Sequence, residues 1–283
     1  MTATTVRMSV VVPAYNEASY LDASLTSLRQ QDFSQPYELI VVDNNSTDDT
    51  AAIARGHGAR VLHEPRLGVC AARERGTREA VGEIVVSTDA DTVHPPGWLT
   101  RLDEHFRTDA DAFAVAGPCR YADPPWWAAV FPRIWFAAVA ISYAVLGRVF
   151  YLTATNLAFV RSQFPGYDTT LTQGGDEVDL LRRLRGRGKI IWDPANSVTT
   201  SSRRMDQGLP HTVLVSFGYH YAWSYLRNRL AARTIVGAAP AIRHEDADRV
   251  RRRRRRWRAG TAMVTLLMIG FAAAFRATFR VVR

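Results

Sequence analysis

The feature that most constrains this chain is a repeated alternation of two hydrophobic periods. Met8-Ser9-Val10-Val11-Val12-Pro13 is a short β-branched run stopped by proline, and residues 17–31 follow with Leu21, Leu25 and Leu28 at helical spacing. The cycle then recurs. Residues 37–43 read as a second strand, and residues 48–55 as a helix opened by Ser46, Thr47 and Asp48 and closed by Gly56 and Gly58. Residues 59–63, 69–80 and 83–87 continue it as strand, helix and strand. Four strands separated by helices predict an α/β fold with a mostly parallel sheet flanked by helices.

Open sheets of this kind bind ligands at the C-terminal ends of their strands. At the end of the fourth run stand two carboxylates one residue apart, in Thr88-Asp89-Ala90-Asp91. Hard oxygen donors on a short turn suit Mg²⁺ or Mn²⁺, with the remaining ligands left to water and substrate phosphates. No Gly-x-Gly-x-x-Gly follows the first strand and no Gly-x-x-x-x-Gly-Lys-Ser/Thr exists. Dinucleotide and P-loop chemistry are therefore not expected.

Beyond Asp91, residues 98–106 predict a helix and residues 113–117 a strand. From Trp126 to Tyr151 the chain is rich in Trp, Phe, Ala, Ile and Val, and the fourteen residues between Arg133 and Arg148 carry no charge. That run is shorter than the roughly 17 to 25 residues of a spanning helix, which leaves core packing or a lid and interfacial docking as the two readings. Residues 153–160 return to a strand, Gly174-Gly175 precedes a helix with an acidic start, and residues 189–192 and 197–200 read as short strands. Trp98, Trp192 and Trp223 are expected in the core, and His211 as structural.

The C-terminal part has a different character. Residues 213–230 form an aromatic-rich amphipathic helix, residues 231–247 a small-residue linker, and Arg249, Arg251 to Arg256 and Arg258 a dense basic block. That block accounts for most of the formal charge of +9, so the rest of the chain is close to neutral, against a nucleic-acid binder with basic residues spread along a face. Seventeen uncharged residues, 259–275, follow it and are read as a membrane anchor, with the arginines drawn to anionic lipid on the cytoplasmic side. Cys70 and Cys119 make neither a disulfide framework nor a zinc site, and no signal peptide is expected at the N-terminus.

Several motifs occur in a fixed order. Val11-Val12-Pro13-Ala14-Tyr15-Asn16-Glu17, Val41-Val42-Asp43-Asn44-Asn45-Ser46-Thr47-Asp48, Gly68 with Ala72-Arg73, and Thr88-Asp89-Ala90-Asp91 are followed by Asn156-Leu157-Ala158-Phe159-Val160-Arg161 and Gly175-Asp176-Glu177-Val178-Asp179-Leu180. This resembles the family 2 inverting glycosyltransferases over roughly residues 8–205. The resemblance implies a GT-A nucleotide-diphospho-sugar transferase fold over residues 1–205, with a donor half to about 120 and an acceptor half after it. An amphipathic helix and linker (206–247) and a membrane-associated tail (248–283) complete the expected organisation.

The resemblance also implies roles. Pro13, Tyr15, Glu17, Asp43, Arg73, Asp89, Arg203 and Arg204 would bind a UDP-, GDP- or dTDP-linked sugar donor, with Arg203-Arg204 closing over the diphosphate. Asp91, with Asp89, would hold Mn²⁺ or Mg²⁺. Glu177 or Asp176 would be the catalytic base, in an order reversed from the usual Glu-Asp, and Asn156 and Gly175 would lie on the acceptor side. Asn44 stands where the family often has Asp. The Gln-x-x-Arg-Trp signature of processive synthases is absent, so transfer of one sugar to a lipid or glycan acceptor at the membrane is expected. A sugar-phosphate nucleotidyltransferase and a non-catalytic nucleotide-sugar-binding protein are the alternatives.

Overall fold

In the computed structural model, residues 5–171, 176–210, 212, 214 and 223 are described. Along the chain run β1 (Met8–Ala14), α1 (Ala18–Arg29), β2 (Tyr37–Asp43), α2 (Thr50–Gly56), β3 (Arg60–His63), α3 (Val69–Glu79) and β4 (Ile84–Ser87). Then come β5 (Thr92–Val93), α4 (Trp98–Thr108), β6 (Ala112–Ala116), β7 (Cys119–Ala122) and α5 (Trp126–Leu146). The last elements are β8 (Leu157–Val160), α6 (Asp176–Leu184), β9 (Lys189–Trp192) and β10 (Val198–Ser201), followed by a 3-10 turn over Arg203–Gln207.

The main sheet has the order β3-β2-β1-β4-β8-β6-β9. β1 is parallel to β2 and β4, and β2 to β3, as the alternation of four strands with three helices predicts. β8 runs antiparallel to both β4 and β6, which makes the sheet mixed. Successive strands step outward from β1 through β2 to β3, and the chain then returns to place β4 on β1's other side. The strand order therefore switches between β1 and β4, and the crevice beyond their C-terminal ends is where such sheets take ligands. The core runs along both faces of this sheet, with β1 and β4 wholly buried. α3 approaches so closely that a Cβ on Gly76 would stand 2.4 Å from a Val11 methyl carbon, so the contact requires glycine.

A second, three-stranded sheet, ordered β5-β10-β7, covers the Asp89–Asp91 turn. β5 is only two residues long and β7 lies next to a loop, so neither carries a recognisable hydrophobic period; both are unanticipated by the sequence reading.

Some boundaries also differ from expectation. Residues 153–156 are not strand; β8 starts at Leu157 because the preceding residues turn to supply polar side chains to the site. Arg133 does not bound the apolar segment: α5 runs 21 residues straight through it, with Pro132 inside and Gly147 closing it in a left-handed conformation. Cys70 and Cys119 are free thiols, while Trp98 and Trp192 are core residues as expected. Trp223 is not; it is about half exposed. Gly175, His211, the body of the 213–230 helix and the 248–283 tail lie outside the described residues.

Candidate active site

Three loops meet at the switch point: the one after β1 (residues 15–17), the one after β4 (88–91) and the segment that follows β10 (202–207). Thr88 N–H donates to Val11 O at 3.2 Å, anchoring the carboxylate turn to β1, and Ser201 N–H donates to Asp91 O at 3.1 Å. β10 thereby delivers Arg203 directly onto the turn. The Arg203 guanidinium donates to both Glu17 carboxylate oxygens at 2.7 Å and lies 3.0 Å from Asp91 Oδ2. Its carbon stands 4.8 Å from the centre of the Tyr20 ring, and Thr200 Oγ1 donates to Asp91 Oδ1 at 3.3 Å. Residues 186 positions apart in sequence are thus joined in a buried ion pair.

A second charged network lies alongside. Arg73, buried on α3, donates to Asp89 Oδ1 at 2.7 Å and to Asp176 Oδ2 at 3.3 Å. Thr155 Oγ1 donates to the other Asp89 oxygen at 2.6 Å. Burial opposes ionisation of Asp89, but Arg73 and the Thr155 hydroxyl outweigh it and hold the carboxyl below the usual range. At Asp91 burial prevails, helped by the Asp89 charge, and the carboxyl is raised despite Arg203.

Asp176 and Glu177 open α6, where the helix dipole favours acidic groups. Glu177 accepts a hydrogen bond from the Tyr151 hydroxyl. Burial and the adjacent Asp176 charge nonetheless push its carboxyl up to about 7, with Tyr151 pulling the other way. A carboxylate tuned close to neutrality is suited to proton transfer.

The structure therefore brings Glu17, Arg73, Asp89, Asp91, Asp176, Glu177 and Arg203 together, in partnerships that differ from several expectations. Arg73 ties the Asp89 turn to α6, held by two carboxylates. Glu17 engages Arg203. Asn156 does not face an acceptor: it is fully buried, accepts from Trp98 Nε1 at 2.9 Å and donates to the carbonyls of Pro118 and Asn196, which leaves its amide group committed to the core. Pro13 is buried in β1, Tyr15 is exposed beside it, and Asp43 accepts from Ser46 N–H at 2.9 Å. Arg204 is exposed.

Asn44 has a clear role. It donates to the carbonyls of Glu64 and Arg66 and accepts from Gly68 N–H, fastening the loop that leads into α3. The unanticipated site residues are Tyr151, Thr155 and Thr200. Each is a lone hydroxyl without a sequence pattern, visible only through its partner.

Asp89 and Asp91 are donors of the kind a divalent cation takes, although all four of their carboxylate oxygens already have partners: Arg73 and Thr155 on Asp89, Thr200 and Arg203 on Asp91. Asp89 and Asp91 supply hard oxygens, and the described residues contain no group of three His, Cys, Asp or Glu able to close around an ion. Such a site completes its shell with substrate phosphate and water. Asp91 already attracts positive charge, since the Arg203 guanidinium rests on its Oδ2.

The comparisons with known proteins agree with this architecture. A mannosyltransferase from Pyrobaculum calidifontis, solved with GDP-Man and Mn²⁺, superposes with a TM-score of 0.56 at 22% identity, covering 97% of this chain and 82% of that one. Staphylococcus aureus TarS 1–349 in complex with UDP gives a TM-score of 0.57 at 16% identity, covering 80% and 72%. The fold is GT-A.

Among curated relatives, a glycosyltransferase of Mycobacterium tuberculosis is 40% identical over 104 residues, 37% of this chain and 45% of its own length. An undecaprenyl-phosphate 4-deoxy-4-formamido-L-arabinose transferase of Serratia proteamaculans is 36% identical over 123 residues, 40% of this chain and 37% of its own. The chain spans less than half the length of these relatives. The family model described as glycosyl transferase family 2 matches residues 9–153, about half of the 283 residues. With the ordered motifs and the switch-point site, this match makes the chain a glycosyltransferase of family 2.

Proposed function

We propose that the chain transfers one sugar, with inversion, from a nucleoside-diphosphate sugar to a lipid-linked or membrane-proximal acceptor, and that the transfer depends on a divalent metal. The observation that carries this reading is the pairing of two differently tuned acidic sites. At the β4 end two carboxylates are set among Arg203, Arg73 and the exposed Arg204. At the start of α6 a carboxyl is raised to about 7. The first suits a leaving diphosphate and the second suits an entering hydroxyl.

Asp91 and Asp89 would hold Mn²⁺ or Mg²⁺, which when bound supplies Lewis-acid stabilisation of the charge developing on the diphosphate. Tyr15 and Asp43, at the C-terminal ends of β1 and β2, would contact the base and ribose. Arg204, exposed and acting electrostatically on Asp89 and Asp91, offers a further cation to the phosphates. Arg203 is the second basic residue there, once it leaves Asp91.

On the opposite side of the sugar, Glu177 takes the acceptor hydroxyl's proton as the oxygen bonds to the anomeric carbon. The bond from that carbon to the phosphate oxygen breaks, and the nucleoside diphosphate leaves with the electron pair. An acceptor that is itself a phosphate, as the Serratia relative's name indicates for that enzyme, is already ionised and relies less on Glu177.

Release of free nucleoside diphosphate from a panel of UDP-, GDP- and dTDP-sugars with Mn²⁺ tests the reading. Turnover with one donor class is expected, and Asp91→Ala should lower it about 10³-fold and abolish metal-dependent donor binding. An Asp91→Ala protein with unchanged turnover removes the metal from the mechanism. Tight donor binding with no release would favour the non-catalytic alternative.

A further inference from the structure

Helix α5 carries an apolar face that nothing among the described residues covers. Ala128, Pro132 and Val139 are the buried residues of its 21. Trp126, Val130, Ile134, Ile141 and Val145 are all exposed, at spacings that place them along one stripe, and Leu146 is exposed at the helix end. From Ile134 to Gly147 there is no charge, and α5 contains neither Asp nor Glu. At 1.5 Å per residue the stripe from Trp126 to Val145 is about 28 Å long, far larger than the isolated apolar residues common on soluble surfaces.

The opposite side of the helix is fastened to the domain. Phe136 stacks on Trp192 with ring centres 5.7 Å apart, and Trp135 meets Tyr151 edge-on at 5.6 Å. The chain enters α5 from β7 and leaves it toward β8, both strands of the same body. α5 is long and apolar enough to cross a bilayer, with a mean hydropathy of 1.7. A helix with one side packed on a domain, and both ends returned to it, has the geometry to lie in the membrane plane rather than to cross it.

We infer that α5 is an in-plane membrane-docking helix whose occupant is a phospholipid bilayer, and that a docked α5 sets the entrance through which a lipid-linked acceptor reaches Glu177. Charge selects the occupant. The exposed Arg133 and Arg148 frame the neutral stretch and complement lipid phosphates, whereas a second copy would bring arginines against arginines with no acid on either helix. Trp126 and Trp127 at the helix start suit the interfacial zone. The entrance follows from contact: the face opposite the stripe reaches Tyr151 through Trp135 and Phe136, and Tyr151 bonds Glu177. This second part rests on the transferase reading; the docking does not.

The full chain carrying a diazirine amino acid at Ile134 or Ile141 is mixed with vesicles of neutral and anionic phospholipid and irradiated. Lipid adducts are expected at both positions and not at Val81, an exposed apolar residue before the N-terminal end of β4. Adducts to residues 259–275, or to a second copy, in place of lipid would overturn the docking. Ile134→Asp/Ile141→Asp is then expected to lower transfer to vesicle-embedded polyprenyl phosphate about tenfold or more while donor hydrolysis in lipid-free buffer is unchanged. Unchanged transfer, or an equal fall in both, overturns the entrance. Lipid adducts in a chain that neither hydrolyses nor transfers any donor would strike the transferase reading and leave the docking standing.

Discussion

The Glu177 carboxyl illustrates how one side chain is tuned by its neighbours. Burial and Asp176 disfavour its charged form, while the Tyr151 hydroxyl favours it, and the balance leaves it near 7. With a hydroxyl acceptor, transfer should rise with pH through about 7 as the base loses its proton, then level off. Tyr151→Phe removes a hydrogen bond to the ionised form, so the inflection should move to higher pH. Glu177→Gln should lower transfer about 10²- to 10⁴-fold while donor affinity is kept. A pH–rate profile that is flat between pH 5 and 8 in the parent would exclude Glu177 as the base.

At the scale of elements, β10 and the turn after it do what no single motif announces. By pairing antiparallel with β5 and parallel with β7, β10 carries Arg203 into a pocket formed by Glu17 and Asp91. Removing the cation leaves two buried carboxylates uncompensated, so Arg203→Met should destabilise the chain by about 3–5 kcal/mol in denaturant titrations. Glu17→Gln added to it should recover part of that loss. The guanidinium also occupies Asp91, so Mn²⁺ should raise the melting temperature of Arg203→Met more than that of the parent; an equal rise would show that Arg203 and the ion do not compete.

For the whole molecule, acid sensitivity should follow a buried histidine. His94 sits between Ser27 of α1 and Thr88 of the carboxylate turn, at 3.1 and 2.7 Å, and lies against the Trp98 ring. Burial lowers its pKa to about 3, against an ordinary value of 6.5. The unfolded chain therefore binds a proton below pH 6.5 that the folded chain refuses. Its contribution is complete above pH 6.5 and is lost as pH falls toward 3, by about 1.4 kcal/mol per pH unit. The His94 ring resonance should show no titration down to about pH 4; an inflection near 6.5 would contradict the burial.

The division between what was legible and what was not has a physical basis. Hydrophobic period is a local property, so the three β/α cycles and fourth strand, the strand ends and the acidic start of α6 could be read directly from residues 8–91 and 176–184. The GT-A fold and most of the site's residue names came from the resemblance to family 2 glycosyltransferases carried by the motifs at those ends. Partnership is not local. Whether Arg73 meets a phosphate or ties Asp89 to Asp176, or whether Asn156 faces an acceptor or is spent on Trp98, depends on contacts 58 to 103 positions apart. The same holds for α5: an arginine within an apolar run marks a boundary when read along the chain, but on a helix with one free side it simply points to solvent. Sequence by itself determined the sheet, its ligand-binding edge and the kinds of residue set there. Only the tertiary structure decided which charge neutralises which, because a short-range ion pair is specified by two segments that the chain brings together from far apart.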